Sequence, residues 1–133
     1  MSITMALEIQ VGATLESIAS TLSSLGESSS LGDTRLDANF ESSGCQFSVR
    51  SLEQPEGVVA EGCSMSWKVG LRGAFHCRGS NLSESWVDIK LFLQELSLNI
   101  EFGFVLSFQY ESIYAIRDSD GLSFCLLYTS PSP

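Results

Sequence analysis

His76 is the only histidine of the chain, and it stands beside Cys77. A Cys-His or Ser-His-Asp centre needs the imidazole within hydrogen-bond reach of the attacking atom. Neighbours on a strand point to opposite faces, so in an alternating segment these two cannot serve each other. The run Asp118-Ser-Asp-Gly121 opens like a calcium loop, but such a loop wants Gly at its sixth place and a bidentate Glu at its twelfth. Here the Gly is fourth, and a tight Asp-Gly hairpin turn fits the run better. No GxxxxGK[ST] or GxGxxG follows a strand, so phosphate-cradling loops are missing from the pattern. Cys45, Cys63 and Cys77 form no CxxC pair, and a zinc site would want such pairs with histidines beside them. They read as small hydrophobes in a reduced compartment. Asn81-Leu-Ser83 matches a glycosylation sequon, yet its asparagine is better used as a helix cap. The close acids Glu53 and Glu56, like Asp118 and Asp120, read as solvated loop residues. No catalytic residue, metal ligand or cofactor is expected, and the chain does not read as an enzyme.

The elements that must carry these residues follow from periodicity. Leu7, Ile9 and Val11 alternate with polar neighbours, which predicts a strand. Leu15, Ile18, Leu22 and Leu25 recur at steps of three and four, which predicts an amphipathic helix capped by Thr14 and ended by Gly26. Glu27 to Thr34 reads as a solvated connection. Leu36–Phe40 and Cys45–Leu52 look extended but are out of phase with each other, so Ser43-Gly44 must be a turn or a bulge. Pro55-Glu56-Gly57 reads as a loop. Met65 to Cys77 alternates cleanly, with Lys68, Arg72 and Arg78 on its wet side, and with Lys90 these form an expected basic stripe. Gly70 and Gly73 within it mark a bulge or a close approach. Asn81-Leu-Ser-Glu84 has capping-box spacing and opens a second helix, whose face is Leu82, Trp86, Ile89, Leu93 and Leu96, widened by Leu91 and Phe92. Ile100 to Tyr110 alternates as one long strand, and Tyr114–Arg117 with the turn at Asp118–Gly121 predicts a trailing hairpin. The order β, α, β, β, α, β predicts an α+β, ferredoxin-like βαββαβ fold: an antiparallel sheet with two helices on one face and a C-terminal hairpin.

Composition sets the remaining bounds. The 133 residues suit one domain, and 44% hydrophobic against 17% charged residues excludes a disordered chain. Sixteen acidic and seven basic residues leave a net charge of −9, which argues against nucleic acid as a partner and favours a cationic one. Apolar runs are too short to span a membrane, and Met1–Gln10 carries no Lys or Arg, so neither a membrane nor a secretory signal is expected and the cytoplasm is the expected compartment. The last nine residues, Cys125-Leu-Leu-Tyr-Thr-Ser-Pro-Ser-Pro133, resemble one reading frame of a sequencing adapter, the transposase mosaic end. That resemblance implies a single domain over 1–124, truncated at its C-terminus, and a non-native tail over 125–133.

A strand and amphipathic helix first, an acidic balance, and the late segment Phe104-Val-Leu-Ser-Phe-Gln-Tyr-Glu-Ser-Ile-Tyr-Ala-Ile-Arg-Asp-Ser-Asp-Gly-Leu122 resemble bacterial toxin immunity proteins. The resemblance implies direct binding and neutralisation of a cognate toxin, often a basic nuclease. Glu101 and Glu111, on the polar side of the expected long strand, and Asp118 and Asp120 in the turn beyond are then the expected partner-binding acids, forming one patch that steers encounter. The other expectation is a secretion chaperone, which would hold an unfolded segment of an effector.

Overall fold

A computed structural model of the protein describes residues 2–60 and 65–124. The predicted Cys125–Pro133 tail and Cys63 lie outside the described residues. The chain is α+β, and the described residues form eight strands in one antiparallel sheet and two α-helices.

Strand β1 (Ser2–Gln10) carries the predicted alternation but is buried on both faces from Met5 to Ile9, which marks an interior strand. Helix α1 (Leu15–Ser24) starts at Thr14, whose hydroxyl accepts the Ser17 N–H. It ends in a Schellman pair: Glu27 N–H donates to the Leu22 carbonyl at 2.9 Å and Gly26 N–H to Ser23 at 3.0 Å, with Gly26 at φ +79°.

The expected solvated connection contains an exposed edge strand, β2 (Ser29–Leu31), invisible to periodicity because neither of its faces is buried. Strands β3 (Arg35–Asn39) and β4 (Gln46–Glu56) are separate, so Ser43-Gly44 is a turn rather than a bulge, and Gly44 takes φ +72°. β4 runs through the expected Pro55-Glu56 loop, because its pairing with β5 (Val69–Arg78) jumps from Ser51 to Glu56, and Pro55 sits in that irregularity where no ladder donor is needed. β5 begins at Val69 instead of Met65, leaving Trp67 half-buried before it.

Helix α2 (Leu82–Asn99) follows a 3₁₀ turn, and the expected capping box is not made: Asn81 Nδ2 donates instead to the Ser43 carbonyl, 3.1 Å away. Its buried face is Trp86, Ile89, Phe92, Leu93 and Leu96, whereas Leu91, expected on that face, is exposed, like Val87 and Leu98. The expected long strand is cut at both ends, leaving β6 (Phe104–Phe108). The hairpin of β7 (Ser112–Asp118) and β8 (Gly121–Phe124) stands as predicted, with Asp118 Oδ1 accepting the Asp120 N–H at 2.9 Å and Gly121 at φ +115°.

The sheet order is β2-β3-β4-β5-β1-β6-β7-β8. It is therefore more strand-rich than the expected βαββαβ arrangement. The inner face holds the core. Phe47 and Phe75 stack with centroids 4.4 Å apart, and Phe92 of α2 meets Phe75 edge-on at 5.8 Å, which ties the helix to the β4–β5 half. Trp86 meets Tyr114 edge-on at 5.8 Å and ties the same helix to the β7 side.

Candidate binding surfaces

Three of the four sequence-assigned acids lie on neighbouring segments. Phe104 pairs with Arg117, so the segment before β6 lies beside the end of β7, and exposed Glu101 stands near exposed Asp118 and Asp120. This corner is held by close backbone approach. Gln10 and Gly103 exchange hydrogen bonds at 2.8 Å, and a side chain at Gly103 would stand 2.9 Å from both the Arg117 carbonyl and Trp67 Nε1. Arg117, the cation within the corner, turns its guanidinium inward. Its Nη2 donates to the Ile100 carbonyl at 3.0 Å and its Nη1 to the Glu101 carbonyl. Helix α2 has no basic residue in its last turn, so this β7 side chain supplies the positive charge that a helix C-terminus favours. Glu111 is not part of the corner. It lies in the β6–β7 turn at the opposite end of β6, on the order of 15 Å away at ~3.3 Å per strand residue.

The outer face of the sheet holds groups that alternation marks only as wet. Glu8, Arg72, Arg50 and Arg35 stand directly opposite one another on β1, β5, β4 and β3. Glu8 is fully buried. Its Oε2 accepts from Arg72 Nη2 at 3.0 Å and from the Val59 N–H at 2.8 Å, while Oε1 accepts from the Ala60 N–H at 3.0 Å. The stretch after β4 is thereby strapped across the outer face over β1. Burial works against the Arg72 charge, but the Glu56 and Glu8 carboxylates outweigh it and hold the guanidinium above its ordinary pKa. Arg35 pairs with Asp37 through Nε at 3.1 Å. Arg50 is exposed and makes no ion pair among the described residues.

The basic stripe expected from Lys68, Arg72, Arg78 and Lys90 does not assemble: Lys90 sits on α2 with Nζ 5.6 Å from the Phe124 ring centre, while Arg72 is drawn to carboxylates. The basic row runs across strands instead of along one. Arg72 was legible as outward-facing from alternation, but no local signal sets Arg50 and Arg35 opposite it.

His76 and Cys77 point to opposite faces. His76 Nδ1 lies 3.2 Å from Thr4 Oγ1 on the outer side, and Cys77 Sγ lies 3.6 Å from Cys45 Sγ in the core. The Cys45–Cys77 hydrogen bond lowers the Cys77 thiol pKa against the opposing effect of burial; the same neighbour together with burial raises that of Cys45. Among the described residues, no cluster of three or more His, Cys, Asp and Glu is placed to hold a metal ion, and no helix is long and apolar enough to cross a membrane. No family model, curated protein or solved structure matches the chain.

Proposed function

We propose that this chain is a small acidic binding protein that neutralises a basic protein partner by direct contact, as a cytoplasmic toxin immunity protein does. The observation that carries this reading is the corner of Glu101, Asp118 and Asp120. Its three exposed carboxylates come from two segments, and both terminal amino groups of nearby Arg117 turn away from them to main-chain carbonyls. Unneutralised rim charge acts mainly on the rate of encounter with an oppositely charged partner. Glu111, at the far end of β6, contributes as an outlying charge. In this reading the series β1, α1, β4, β5, α2, β6 is a ferredoxin-like core, whose first strand is central and whose added edge strands extend the platform.

The test uses the product of a neighbouring toxin gene as the probe. Charge reversal of Glu101, Asp118 and Asp120 to Lys is expected to slow association several-fold at low salt and flatten its salt dependence, with thermal stability unchanged. Glu111→Lys alone has the smaller effect. Wild-type association by the triple variant overturns the reading. Binding only to an unfolded segment of a secreted effector would favour a secretion chaperone.

A further inference from the structure

Arg50 stands between two other arginines. On adjacent antiparallel strands Arg35 pairs with Arg50 and Arg50 with Arg72, and all three side chains leave the outer face. With strands ~4.8 Å apart, like charges directly opposite each other are destabilising unless compensated. The flanking pair is compensated: Arg35 by Asp37, and Arg72 by Glu8 and Glu56. The middle guanidinium is left with its donors unused among the described residues, and Arg35 engages Asp37 only through Nε, which leaves its two terminal amino groups free.

These side chains wall a depression of about 240 Å³. Its floor is made of the small residues Ser48, Gly73 and Ala74, and its far rim is Tyr110. Tyr110 reaches that rim from a strained turn. Gln109 and Tyr110 have φ +52° and +62°, and Glu111 N–H closes the turn on the Phe108 carbonyl at 2.9 Å. Two-residue turns with two positive φ angles favour Asn-Gly, and an ordinary side chain there costs roughly 1–2 kcal/mol per residue. Such strain collects where a side chain has work to do.

We propose that Arg50, with the free amino groups of Arg35 and the phenol of Tyr110, forms a binding site for a small oxyanion, a carboxylate or phosphate group. The planar fork of Arg50 matches two oxygens of either group. The bound anion supplies the partner that Arg50, alone of the three arginines, lacks among the described residues. The arginines of the site lie on β3, β4 and β5, Tyr110 reaches them from the β6–β7 turn, and the acidic corner is at the opposite end of β6, so either can fail without the other.

Inorganic phosphate and succinate are titrated separately into the full chain at constant ionic strength, following backbone amide shifts at Ser48 and Ala74. Saturable binding of at least one is expected, weakened at least tenfold in R50Q and partly restored in R50K, which keeps the charge but loses the fork. Saturation by phosphate alone assigns a phosphoryl ligand, by succinate alone a carboxylate. Tyr110→Gly is expected to weaken binding while raising the melting temperature, which separates the site from general stability. Shifts that do not saturate with either anion, or that are equal in wild type and both Arg50 variants, overturn the proposal.

Discussion

Glu8 and Arg72 face each other across β1 and β5, and the carboxylate of a completely buried glutamate binds one guanidinium and two main-chain N–H groups. The pair is the clasp by which the segment after β4 is held to the outer face. Removing Glu8 leaves Arg72 with Glu56 as its remaining carboxylate and takes the acceptor from the Val59 amide, so Glu8→Ala is expected to cost about 2–3 kcal/mol. Glu8→Gln, which keeps an acceptor but not the charge, costs less. Urea midpoints measure both, and faster hydrogen exchange at the Val59 amide shows that the clasp has opened. An unchanged midpoint in Glu8→Ala rules the clasp out.

Core truncations separate the two halves of the sheet from the corner. Leu93 and Phe104 are completely buried, and replacing either with Ala is expected to cost about 2–5 kcal/mol. Trp67 was placed in the same core by alternation, but it is half-buried against Gly103. Trp67→Ala is therefore expected to cost only about 1–2 kcal/mol. Equal losses for all three in denaturant melts would contradict this ranking.

The thiol pair sets an alkaline limit. Cys45 is raised from its ordinary value of 9.0, so it stays protonated in the folded chain when the unfolded thiol ionises. A group raised on folding contributes stability that is complete below its unfolded pKa and is lost as pH rises through its folded one. Stability is thus expected to decline from about pH 9 upward through this group, whereas the gain from Cys77, which is shifted down, is complete by its ordinary value of 9.0 and leaves the slope above it unchanged. Cys45→Ala should show a shallower decline than wild type when melting temperatures are compared between pH 8 and pH 10. Parallel curves for the two proteins would exclude the pair as the cause.

Local signals in the sequence were sufficient for the elements whose boundaries are local. Thr14 and Gly26 bracket α1 because a cap hydroxyl and a positive-φ glycine act within a few residues of themselves, and Asp118–Gly121 makes its turn for the same reason. Alternation marked β1 and β5 and the inward side of each. A period of two assigns a face, but it does not say whether that face stays wet or which strand lies alongside. Tertiary structure alone decided those matters. Glu8 and Arg72 are 64 residues apart, and only the placement of β5 beside β1 makes them a pair. Asn81 was free to cap its own helix, but the turn after β3 offered its amide the Ser43 carbonyl. The acidic patch was divided because β6 starts at Phe104 and ends at Phe108, which leaves Glu101 and Glu111 at opposite ends of a strand that periodicity had drawn through both. Register and strand ends are set by contacts between distant segments, and a single sequence carries no local record of them.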